Sequence, residues 1–129
     1  MEKIRREYPD IAPSGPTYSR AVLAGNMLFI SGCTARGTDA QGKPLMEQLG
    51  VTLDRVTRVV SAEGGTASDI VKITTFVTSI ADWQAHAAEQ QEIFQRFFGE
   101  EYPANSLIEI NALAESGLDV EIEAIAIIG

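Results

Sequence analysis

Hydrophobic and polar positions follow two periods along the chain, and the changes of period divide it into elements. Ala21-Val22-Leu23 and Met27-Leu28-Phe29-Ile30 are short apolar runs on either side of Gly25-Asn26. A turn dipeptide between two such runs predicts a β-hairpin over residues 21–31. Across residues 47–62, Leu49, Leu53, Val56 and Val60 repeat at the spacing of one helical face, and Gly64-Gly65 ends the helix. The β-branched run Ile70-Val71-Lys72-Ile73-Thr74-Thr75-Phe76-Val77-Thr78 predicts a strand. Trp83, Ala87, Phe94 and Phe98 mark one side of a second helix over 82–98, broken by Tyr102-Pro103. Residues 106–111 and 120–128 read as two further strands. A turn-rich entry (12–17) and a polar loop (34–44) complete the chain.

The order β-β-α-β-α-β-β predicts one α+β or α/β domain in which the helices cover one face of a mixed sheet. The other face must then be wet or buried in an oligomer, and a subunit interface is the expectation. On the last strand Glu121 and Glu123 share one side, with Val120, Ile122 and Ala124 on the other.

Composition narrows the class. The chain has 129 residues, enough for one domain and cramped for two. Ten basic residues against eighteen acidic ones leave a net charge of −8, which disfavours broad nucleic-acid binding. The densest basic run, Lys3-Ile4-Arg5-Arg6, is short and reads as a solvated end. No apolar stretch is long enough to span a bilayer, and the first residues lack a secretory pattern. With Cys33 as the single cysteine there is no intrachain disulfide. A cytoplasmic protein without membrane or nucleic-acid partners is expected.

Conventional catalytic motifs are missing. His86 and Cys33 are single and far apart, so no metal is expected, and His86 reads as a surface or interface residue. Cys33 follows Ser31-Gly32 at a strand end, where ligands often bind; a small buried thiol is the better reading. No nucleophile elbow and no phosphate-cradling glycine loop is present. Carboxylates remain. Glu121 and Glu123 either face water or a subunit partner, or one of them is held for acid/base work. Tyr18 and Ser31 offer hydroxyls at the ends of the hairpin, or are turn and edge residues.

Five segments together resemble a known family: Gly15-Pro16-Thr17-Tyr18-Ser19, Gly25-Asn26-Met27-Leu28-Phe29-Ile30-Ser31-Gly32, Gly65-Thr66-Ala67-Ser68-Asp69-Ile70-Val71-Lys72, Tyr102-Pro103-Ala104-Asn105-Ser106 and Val120-Glu121-Ile122-Glu123-Ala124-Ile125-Ala126. In order and spacing the chain is similar to the RidA family (YjgF/YER057c/UK114), over residues 13–128. The resemblance implies a chorismate-mutase-like α+β fold and a homotrimer packed around a central barrel, with three clefts between subunits. It also implies cofactor-free hydrolysis of small enamines and imines to a keto acid and ammonia.

Carried over residue by residue, Tyr18 matches the cleft tyrosine, Ser31 the serine of the Ser-Gly motif, and Glu121 the glutamate that orients or activates water. Backbone amides near Leu107 would help bind the substrate. The departures are as informative. The family's substrate-binding arginine is replaced by Asn105, which trades charge-assisted bonds worth about 1.5–3 kcal/mol each for a neutral amide. Leu107 stands at a cysteine position, Cys33 at a glutamine position, and Ala87 where deaminating members often carry asparagine. Arg20 and Arg36 are near enough to restore a cation, but as loop or edge residues they read as solvated. The expected function is a RidA-like deaminase or hydrolase with an altered substrate range; the alternative is a non-catalytic metabolite-binding protein.

Overall fold

A computed structural model describes residues 1–129. Six strands form one mixed sheet: β1 (Lys3–Arg6), β2 (Ala21–Ala24), β3 (Met27–Cys33), β4 (Ile70–Val77), β5 (Ala104–Glu109) and β6 (Val120–Ile127), in the spatial order β1-β2-β3-β6-β4-β5. Only β4 and β5 run parallel, and α2 (Ile80–Ala85) and α3 (Ala87–Phe98) make the crossover that parallel neighbours require. The long helix α1 (Leu45–Ala62) lies on the same face of the sheet.

The predicted core stripe of α1 holds. Leu49, Leu53, Val56 and Val60 are fully buried, packed with Leu28, Ile73, Val77 and Ile122 from the strands. The opposite sheet face has no cover within the chain. Phe29, Ile108 and Ile127 are each about two-fifths exposed there, and Lys72 Nζ donates to Ser106 Oγ at 2.8 Å.

Three local expectations need correction. The basic run Lys3-Ile4-Arg5-Arg6 is a strand, pairing antiparallel with β2 from Lys3↔Ala24 to Arg6↔Ala21. Its charged side chains suit a sheet edge, where they discourage pairing with other chains. The second helix is two helices. At His86 the imidazole Nδ1 approaches Asp82 O at 2.9 Å, and the His86 amide donates instead to Trp83 O. The α-helical pattern breaks there and restarts at Ala87. The fifth strand begins at Ala104, two residues before the expected start, because Lys72↔Ala104 opens its register with β4.

Between Ile30↔Ala124 and Cys33↔Ile122 the strand β3 carries one more residue than β6. That bulge takes Ser31 and Gly32 out of the ladder, a device common beside functional sites. Fully buried Gln48 ties the loops around it, donating to Lys43 O and Gly117 O and accepting from the Asp119 amide.

Candidate functional site

A cleft of about 60 Å³ opens where the entry segment, the bulged end of β3, α1 and the start of β6 meet. Tyr18, Arg20, Cys33 and Glu121 line it. Gly15 clears the space for Tyr18, since a Cβ there would lie 2.8 Å from the Tyr18 ring. Tyr18 is 42% exposed, with the Arg20 guanidinium 5.5 Å from its ring centroid. Gly32 does the same for Glu121, whose Cγ would lie 2.8 Å from a Cβ at position 32.

Glu121 has no hydrogen-bond partner in the chain and is half-buried. Burial pushes its carboxyl above the usual range, and neighbouring Glu123 pushes the same way, while Arg20 opposes. A carboxylate in this state is a better proton acceptor than a solvated one. Glu121 and Glu123 share one strand face, as the alternation predicts, and Glu123 is the exposed member.

Other predicted residues have narrower roles. Ser31 Oγ donates to Ser19 O at 2.7 Å, which locks the hairpin and occupies its proton. Cys33 is 1% exposed, and burial raises its thiol despite Arg20 and Arg55 nearby, so it is a small buried thiol. His86 is exposed, 3.3 Å from Asp82 Oδ1. No three His, Cys, Asp or Glu side chains come together as a metal would need.

Asn105 and Leu107 are elsewhere. Both lie on β5 at the sheet edge, and β4 separates β5 from β6. Asn105 accepts from Thr75 Oγ1 at 2.9 Å, which turns its NH2 outward. With Phe94 and Tyr102 it lines a second groove of about 220 Å³. A single chain therefore separates Tyr18 and Glu121 from Asn105 and Leu107.

Arg20 overturns its expected solvation, being 3% exposed. Its Nε donates to Ala12 O, its Nη1 to Ser31 O and Gly32 O, and its Nη2 to Pro13 O, at 2.8–3.1 Å. Arg36 remains partly exposed and faces Glu115 at 3.8 Å. Arg55 is a cleft residue that sequence reasoning missed. It sits on α1 between buried Leu53 and Val56, and its Nη1 reaches Thr34 O at 2.7 Å. A polar residue between two core positions was its only signal.

The sequence pattern of the family described as Endoribonuclease L-PSP matches residues 10–128. A RutC family protein of Pyrococcus horikoshii is 33% identical over 118 residues, 88% of each chain. A 2-iminobutanoate/2-iminopropanoate deaminase of Dermatophagoides farinae is 30% identical over 119 residues, covering 90% of this chain and 88% of its own. The crystal structure of a Mycobacterium tuberculosis member of the YjgF/YER057c/UK114 family superposes with a TM-score of 0.78 at 31% identity, over 98% of this chain and 100% of that one.

Proposed function

The chain belongs to the Endoribonuclease L-PSP family, the YjgF/YER057c/UK114 or RidA proteins, and from that premise we propose that it is a deaminase-type hydrolase of a small imine, enamine or related C–N substrate. The observation that carries this reading is Glu121: a half-buried carboxylate without a partner, lining a cleft with Tyr18. In the proposed reaction Glu121 takes a proton from water as the oxygen attacks the C=N carbon. The resulting carbinolamine collapses as the proton passes to nitrogen, so water and imine become a carbonyl compound and ammonia. Tyr18 orients the substrate. No cofactor is required.

The complete cleft is proposed to form between copies of the chain in a homotrimer. The uncovered sheet face, with Phe29 and Ile127, provides an apolar surface for that contact, and Asn105 and Leu107 of one copy would face Tyr18 and Glu121 of another. At that end the substrate meets a neutral amide donor in place of the family's arginine, which changes the substrate range. RNA cleavage is not proposed despite the family's description, because a chain of net charge −8 with one histidine lacks the usual equipment. The proposed setting is the cytoplasm; no helix is long and apolar enough to cross a membrane.

The test is ammonia release from 2-aminoacrylate and bulkier imines generated in place. Release by wild type that is lost in Glu121→Ala supports the hydrolase. Release that survives Glu121→Ala removes Glu121 from the chemistry. The second reading, metabolite binding without turnover, draws on Asn105 itself; recovery of intact ligand after long incubation would establish it.

A further inference from the structure

Three arginines and a single carboxylate, Glu121, line the Tyr18–Glu121 cleft. Arg20, Arg36 and Arg55 border it from three separate parts of a chain whose net charge is −8. Neither Arg20 nor Arg55 has a carboxylate at ion-pair distance, and Glu115 lies 3.8 Å from Arg36 with its side chain 47% exposed. Buried or half-buried cations without counter-charges are expensive, so the arrangement favours an anion in their midst.

The three arginines differ in what they have left to give. Arg20 is occupied by backbone carbonyls at every nitrogen and serves as scaffold. Arg55 uses Nη1 alone, on Thr34 O and Arg36 O, which leaves Nε and Nη2 without partners. Arg36 uses Nη2 on Pro13 O and leaves Nη1. Burial lowers the pKa of Arg55; Cys33 opposes that shift, while the charges of Arg20 and Arg36 add to it. The cleft's 60 Å³ is room for a few water molecules, enough for a carboxylate group.

We infer that Arg36 and Arg55 form an oxyanion subsite that takes the carboxylate of a small organic ligand in this cleft. The inference rests on the proposed use of this cleft for substrate, and it moves the anion-binding role away from position 105. Two planar, charge-assisted donors on one anion give both affinity and orientation.

The experiment titrates the full-length protein with pyruvate and with pyruvamide, probes of like shape that differ in charge, reading the Gly32 amide and Arg55 Nε–H signals by NMR. Pyruvate is expected to bind at least about tenfold more tightly than pyruvamide, with an affinity that falls as salt rises. Arg55→Met and Arg36→Met should each weaken pyruvate about tenfold and leave pyruvamide unchanged, while Arg58→Met, exposed on the same helix, changes neither. Arg36→Met keeps the test decisive if losing the Arg55 bonds to the 34–36 loop unfolds the other variant. Equal affinity for the two probes, or no effect of either cleft variant on pyruvate, overturns the subsite. Pyruvate binding at these arginines without ammonia release removes the hydrolase reading alone; ammonia release with equal affinity for the two probes removes the subsite alone.

Discussion

Replacing Gly32 with alanine tests the catalytic assignment without altering any ionisable group. A Cβ at position 32 would lie 2.6 Å from Glu121 Cδ and 2.8 Å from its Cγ. Because Cγ is involved, the clash cannot be relieved by turning the carboxylate; the side chain must leave its rotamer. The backbone cannot retreat either, since Gly32 O accepts from Arg20 Nη1 at 2.8 Å. Gly32 is not among the positive-φ glycines, so the penalty is steric alone. Overpacking of this kind costs about 1–3 kcal/mol, and the low end applies because Glu121 is half-exposed and can swing toward solvent. For a domain of this size that lowers Tm by roughly 4 °C, leaving a folded protein. Activity should fall much further, by about 10² or more, because a displaced base loses most of its contribution. The assay is ammonia release beside a thermal melt, with Glu121→Ala and the double variant as partners. Since both changes remove one function, the double variant should be no worse than Glu121→Ala. A folded Gly32→Ala protein with near wild-type turnover would refute the role given to Glu121.

Arg20→Met leaves the carbonyls of Ala12, Pro13, Ser31 and Gly32 without their donor, and a loss of about 3 kcal/mol or more is expected in chemical denaturation. Cys33, buried and with its thiol raised, should resist a thiol reagent at pH 8 in the native protein and react at once in denaturant. Glu121 holds its proton more tightly folded than unfolded, so it lowers stability as pH rises through its raised pKa. Glu121→Gln should therefore melt higher than wild type at pH 7, and the gap should close toward pH 4. Turnover should rise over the same interval as Glu121, with Glu123 and Arg20 beside it, loses its proton.

What the sequence made legible was periodic. The hairpin, the core stripe of α1, β4 and β6 each rest on a repeat of apolar positions that tertiary packing respected. The misses lie where packing decided against local signal. Lys3–Arg6 is polar in sequence and becomes a strand only because β2 presents an edge to it. Trp83 and Phe94 suggested one helix, but the His86 ring takes the carbonyl that would have continued it. At the site, parity on β6 located Glu121. Arg20 was misjudged because its burial depends on carbonyls from two distant segments, and no local pattern records that. The separation of Asn105 from Glu121 follows from strand order, which pairing across long stretches of sequence sets.

The strand that carries Glu121 is the last of the six in sequence and lies between β3 and β4. Until β6 exists, no strand pairs the β1-β2-β3 meander with the β4-β5 pair, and only the packing of α1 against β3 and α3 links them. Each half then presents a bare apolar edge, which on a ribosome is a target for chaperones or for another nascent copy. The same eight residues that finish the sheet deliver the carboxylate. A product that stops before Val120 lacks both the central strand and Glu121.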